Sequence, residues 1–112
     1  MAIEFFRVDK STKLTISQIL KLEYAIGYSL ATVRRRIHRM CRNFAETGTA
    51  PDEEWEQLCR MGLATHSTAF GRHIYRVTQR GIDTVGMITD CKICMEPNVF
   101  DGKELEEDAG NV

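Results

Sequence analysis

The sequence predicts a single domain of mixed α+β class, and three observations carry that expectation. The chain has 112 residues, 43% of them apolar and 28% charged, which is enough for one hydrophobic core and too little for two. Several stretches place apolar residues at helical spacing behind a residue that can cap a helix. Two short runs of β-branched and aromatic residues flank the glycine-containing segment 67–72, which is the pattern of a hairpin. No apolar run approaches the roughly 18 residues of a membrane span. The first seven residues carry Glu4 among their apolar side chains and lack the layout of a secretion signal. A cytoplasmic location is therefore expected, with the four cysteines as thiols or ligands and not as disulfides.

Residues 2–8 are aromatic and β-branched, which suits an edge strand or a packed arm. Thr15-Ile16-Ser17-Gln18 is a capping-box pattern and predicts a helix to about Ile26, stopped by Gly27. Ser29 then caps a longer predicted helix over residues 29–45. Val33, Ile37, Met40, Cys41 and Phe44 fall on one arc of it, while Arg34, Arg35, His38, Arg39 and Arg42 fill the other and Arg36 lies on the flank. Residues 46–50 read as a loop. Pro51 and the acids Asp52, Glu53 and Glu54 suit the first turn of a third helix, whose buried stripe is Trp55, Leu58 and Cys59 and whose stop is Gly62. Residues 63–66 and 73–77 are the two predicted hairpin strands. Thr78 caps a short last helix with Ile82 and Val85 inward. These elements end near residue 90. Residues 91–112 are assigned to a Cys-x-x-Cys segment and a flexible acidic tail.

Charge is unevenly placed. Residues 1–50 hold nine Lys/Arg against four Asp/Glu, residues 51–100 five against seven, and residues 101–112 one against five, within a net charge of −1. A basic front half points to an anionic partner, and an acidic tail can screen it.

The run from Gly62-Leu63 through the hairpin to Tyr75-Arg76-Val77-Thr78-Gln79-Arg80-Gly81 resembles the C-terminal half of a winged-helix domain, over about residues 51–88. In such a domain the recognition helix ends on glycine and leucine, a β-wing follows, and its second strand closes with Tyr-x-Val/Leu-Thr-x-x-Gly. Arg42-Asn43-Phe44, residues 55–64 and residues 75–81 also resemble a set of small uncharacterised proteins of phages and prophages. The resemblance implies a winged-helix-like fold of three helices, a two-stranded wing and a short C-terminal helix. The helix before the wing departs from a DNA reader, because Asp52, Glu53, Glu54 and Glu56 would face phosphates with only Gln57 and Arg60 beside them. The candidate binding residues are instead Arg34, Arg35, Arg39 and Arg42, joined by the wing residues Arg72 and Arg76.

Catalytic patterns are missing from the sequence: it has no phosphate-binding glycine loop, nucleophile motif or metalloprotease helix. Cys91-Lys92-Ile93-Cys94 is half of a zinc site, with Cys41, Cys59, His66 and His73 as the only candidates to complete it. His66 and His73 can face one another across the hairpin, but with no nucleophile nearby they do not make a catalytic arrangement. The expectation is thus a non-enzymatic accessory protein of phage type, without cofactor. It would act in the host cytoplasm by binding a host protein or nucleoprotein complex, as anti-CRISPR inhibitors do. The competing expectation is a winged-helix transcriptional regulator that binds DNA directly.

Overall fold

The computed structural model describes residues 5–7 and 13–100, and its elements follow from local sequence in all but two places. Strand β1 (Phe5–Arg7) pairs antiparallel with β2 (Lys13–Thr15). Helix α1 (Ile16–Ala25) starts directly behind it. The Thr15 hydroxyl accepts from the Gln18 backbone N–H while the Gln18 side chain accepts from the Thr15 N–H, so the predicted capping box forms at both ends. Helix α2 (Glu53–Arg60) is capped by Asp52 and starts two residues later than the proline-led start implied. Helix α3 (Gln79–Thr89) is capped by the Thr78 hydroxyl accepting from the Gly81 N–H.

Residues 29–45 do not form the predicted long helix. Ser29 caps only a single 3₁₀ turn, Leu30–Thr32, and the chain then runs as β3 (Ile37–Arg42) and β4 (Ala45–Gly48). The segment carries two periodicities at once. Read in steps of two, Ile37-His38-Arg39-Met40-Cys41-Arg42 alternates, and His38 and Met40 are the buried members while Arg39 and Cys41 face out. The strand period wins because β3 finds a partner in β7 (Lys92–Phe100), which pairs with it in parallel from Ile37↔Lys92 to Arg42↔Phe100. That partner lies in the segment expected to fall beyond the packed domain, so the sequence read locally does not decide for a strand over a helix. His38, assigned to the cationic face, is instead in the core: its Nε2 lies 3.1 Å from the Ile26 carbonyl at the end of α1, and its ring meets Tyr28 edge-on.

Strands β5 (Ala64–Ala69) and β6 (Arg72–Val77) extend further than expected, because the hairpin loop is only Phe70-Gly71, both in left-handed backbone with φ of 52° and 74°. Two consecutive left-handed residues make the tight turn whose twist matches the strands it joins, and Gly71 adopts that conformation without steric cost. The sheet order is β4-β6-β5, all antiparallel. The core gathers Leu14, Leu22, Ile26, Met40, Trp55, Leu58, Leu63, Tyr75, Ile82 and Val85 between the three helices and this sheet. The fold is therefore mixed α+β. Among the described residues no helix is long and apolar enough to cross a membrane.

Tyr75 illustrates how the core couples to pH. It is fully buried, stacks on Trp55 at 5.3 Å, and its hydroxyl accepts from the Asp52 backbone N–H. Burial first, and then the hydrogen bond and charge of Glu56, push its phenol from 10.0 up to about 12, against the pull of the Asp52 N–H. A tyrosine in the unfolded chain ionises near 10, so the folded protein keeps a proton that the unfolded chain loses. The contribution is complete below pH 10 and disappears as pH climbs to about 12. Urea melts across this window should show stability falling with pH, and Tyr75→Phe should flatten most of that slope.

Candidate functional site: an arginine turn

The most distinctive surface is built where the predicted helix fails. Arg34 and Ile37 exchange both backbone hydrogen bonds, at 3.0 and 2.9 Å, which closes a four-residue turn with Arg35 and Arg36 at its tip. Both tip residues are left-handed, with φ of 53° and 59°. Turns of this hand ordinarily take Asn-Gly or Gly-Gly, since a Cβ is disfavoured there. Two arginines in succession hold it here at a conformational cost of about 1 kcal/mol or more each.

Around the tip, the Arg34 guanidinium folds back onto the Ala31 and Val33 carbonyls at 2.9 and 3.0 Å. Arg36 pairs with Asp90 and Arg39 with Glu96, each at 3.1 Å and largely exposed. Exposed pairs of this kind are worth about 0–1 kcal/mol and exchange readily for another anion. Lys92 joins the group through its register opposite Ile37. Five cations thus meet two carboxylates, and Arg34, Arg35, Ile37 and Arg39 line a depression of about 310 Å³. Guanidinium groups gathered around such a depression can seat a carboxylate or phosphate group.

Of the six arginines singled out from sequence, only Arg34, Arg35 and Arg39 come together. Arg42 lies on the other side of β3, where its guanidinium donates to the Tyr24 carbonyl at 2.7 and 3.2 Å and covers the Tyr24 ring. That is a cap on the end of α1 and not part of a basic face. Arg72 is ion-paired to Glu46, and Arg76 donates to the Ser67 hydroxyl. Arg42, Arg72 and Glu46 line a separate depression. The sequence reading left out Arg36 and Lys92. The alternation over residues 37–42 behind a three-arginine run was the available signal for Arg36, whereas Lys92 arrives only with the long-range pairing of β7.

The acids of α2 are engaged by neighbouring side chains within the protein. Glu54 accepts from the Thr15 and Ser17 hydroxyls, Lys21 bridges to Asp52, and Arg60 pairs with Glu53. Glu56 lies 3.4 Å from His66 Nδ1, and His66 Nε2 lies 2.7 Å from His73 Nδ1. All four cysteines are free thiols. Burial and the neighbouring Glu56 raise the Cys59 thiol above its usual range, which keeps it protonated and unreactive. Among the described residues, no group of three or more His, Cys, Asp or Glu side chains is placed to hold a metal ion, so Cys91 and Cys94 acquire no further ligands there.

No protein-family model, curated protein or solved structure matches the chain.

Proposed function

We propose that the protein acts without catalysis, by seating the arginine turn on an anionic surface of a partner protein or nucleoprotein complex and occluding it. The reading extends the phage-type resemblance: a small accessory protein of the host cytoplasm that inhibits a host complex, as anti-CRISPR proteins do. The observation that supports it is the pair Arg35-Arg36, held left-handed where glycine and asparagine would be more stable. Backbone strain retained at an exposed cationic tip is accounted for by what the tip contacts. The winged-helix-like reading draws on α2 followed by the β5–β6 hairpin and on the Tyr75-to-Gly81 run. It begins at α2, since the helix expected to precede it is strand. Arg76 is half-buried on the Ser67 hydroxyl and Arg72 is held by Glu46, whereas Arg35 and Arg36 stand exposed at the tip, which favours the turn over the hairpin as the contact surface.

The test separates the charge of the tip from its shape. Replacing Arg35→Asn together with Arg36→Gly should raise stability by about 1–2 kcal/mol, because the new residues prefer the existing backbone. The same variant should lose binding to a labelled glutamate-rich peptide, read by fluorescence anisotropy, as should Arg35→Glu with Arg39→Glu. A stabilised variant that binds the acidic peptide as well as the original would overturn the assignment. A labelled DNA duplex run in parallel decides the partner. Tight binding with a salt slope of roughly −0.9 per phosphate contact would move the reading to a winged-helix regulator that binds DNA directly.

A further inference from the structure

The hairpin carries a second site. His66 on β5 and His73 on β6 stand diagonally on one face of the sheet, next to the register pairs His66↔Tyr75 and Thr68↔His73. Their ring centroids are 4.9 Å apart while the facing nitrogens are 2.7 Å apart, so the near-parallel rings meet through Nε2 and Nδ1, edge to edge. Such a contact holds one hydrogen between two nitrogens, each of which carries a lone pair in another tautomer. His66 is fixed from two sides. It stacks on the buried Tyr75 at 4.5 Å and 12°, and its other nitrogen faces Glu56 of α2. A carboxylate behind one imidazole is the outer partner that metal-bound histidines regularly have, where it sets the tautomer and the ring direction.

We propose that His66 Nε2 and His73 Nδ1 form a two-imidazole site for a divalent d-block ion of the Zn²⁺ type, with Glu56 as the outer partner of His66. At about 2.0–2.1 Å per Zn–N bond, two tetrahedral neighbours stand roughly 3.3 Å apart, so the rings must part by about half an ångström. His73 supplies that movement, because it lies beside the Phe70-Gly71 turn while His66 is clamped between Tyr75 and Glu56. The ion takes the place of the shared hydrogen, and the His73 hydrogen moves to the outer ring nitrogen, so neutral imidazoles bind without net proton release. Two protein ligands leave the remaining positions to water or to a donor from a partner, which makes the site open and not structural. Imidazole pairs of this kind take borderline transition ions in preference to Mg²⁺ or Ca²⁺, which favour oxygen ligands.

The experiment titrates the whole chain with Zn²⁺ under reducing conditions and follows the histidine ring resonances and the cysteine β-carbons by NMR. The expected result is one-to-one saturation that shifts His66 and His73 together, leaves His38 and the cysteine β-carbons unmoved, and is not reproduced by Mg²⁺. His73→Ala should abolish it. Glu56→Gln, which leaves both imidazoles in place, should weaken it by about 10- to 100-fold while the histidines still shift. A cysteine response at Cys91 and Cys94 with silent hairpin histidines would overturn the assignment, as would saturation that survives His73→Ala. Since His73 is only partly buried and lies beside the hairpin turn, the variant should stay close to the melting temperature of the parent without metal. His73→Gln offers a second test at the same position if the alanine variant does not fold.

Discussion

Gly81→Ala should destabilise the fold by about 2–3 kcal/mol, net of the roughly 1 kcal/mol that alanine gains over glycine inside a helix. A Cβ built at Gly81 would sit 2.3 Å from the Leu63 carbonyl oxygen and 2.5 Å from a Val77 methyl group. The first of these is backbone and cannot swing aside. The same carbonyl accepts from the Thr78 N–H at 3.0 Å, and the Thr78 hydroxyl donates to the neighbouring Gly62 carbonyl at 2.7 Å. The first turn of α3 is thus pressed directly onto the chain leaving α2, and any residue larger than glycine must lever the two apart. Urea denaturation would show the midpoint falling with little change in slope. A variant as stable as the parent would mean that α3 does not approach Leu63 this closely.

Asn43→Ala should cost about 2–4 kcal/mol, through a different mechanism. Asn43 is buried, its amide donates to the Val77 carbonyl at 2.9 Å, and its side-chain oxygen accepts from the Val77 N–H at 2.9 Å. One side chain therefore imitates a strand and satisfies both backbone groups at the end of β6. Removing it leaves two buried polar groups without partners, each worth about 1–3 kcal/mol. Asn43→Asp separates hydrogen bonding from size. Its carboxylate keeps an acceptor for the Val77 N–H and sets a second oxygen against the Val77 carbonyl, so it should be at least as damaging at neutral pH. Acidification should restore part of the loss, because a protonated carboxyl can donate to that carbonyl. Melting temperatures of both variants across acidic to neutral pH would check this, and a pH-independent deficit in Asn43→Asp would count against it.

Most of the helical architecture was legible because it is written locally. Thr15 and Thr78 each announce a helix start by a hydrogen bond that spans three residues, the α2 helix was signalled by Pro51 and its acids although Asp52 proves to be the cap, and the hairpin is announced by its glycine-containing turn. What was not legible depends on residues far apart in sequence. The strand over Ile37–Arg42 exists because Lys92–Phe100 pairs with it, and local periodicity favoured a helix equally well. That single misreading moved Arg42 and His38 onto a face where neither belongs, and it hid the turn that brings Arg36 beside Arg35. The turn itself breaks the rule that would have flagged it, since neither tip residue is glycine or asparagine. The histidine pair was anticipated across the hairpin, whereas its link to Glu56 needed the packing of α2.

The parallel pairing of β3 with β7 also sets an order of assembly. Arg39 and Glu96, which meet across it, are 57 residues apart in the chain. At roughly 5–20 residues per second, a ribosome needs about 3–11 s to travel that distance. During this interval α1, α2 and the β5–β6 hairpin can form from short-range contacts, while β3 waits as an unpartnered edge and the arginine turn has only its own local hydrogen bonds to hold it. Pairing between distant parallel strands is also among the slower folding steps. Binding competence is therefore a late event in the life of each molecule. A product of early termination near Asp90 would retain most of the core yet lack a fixed tip.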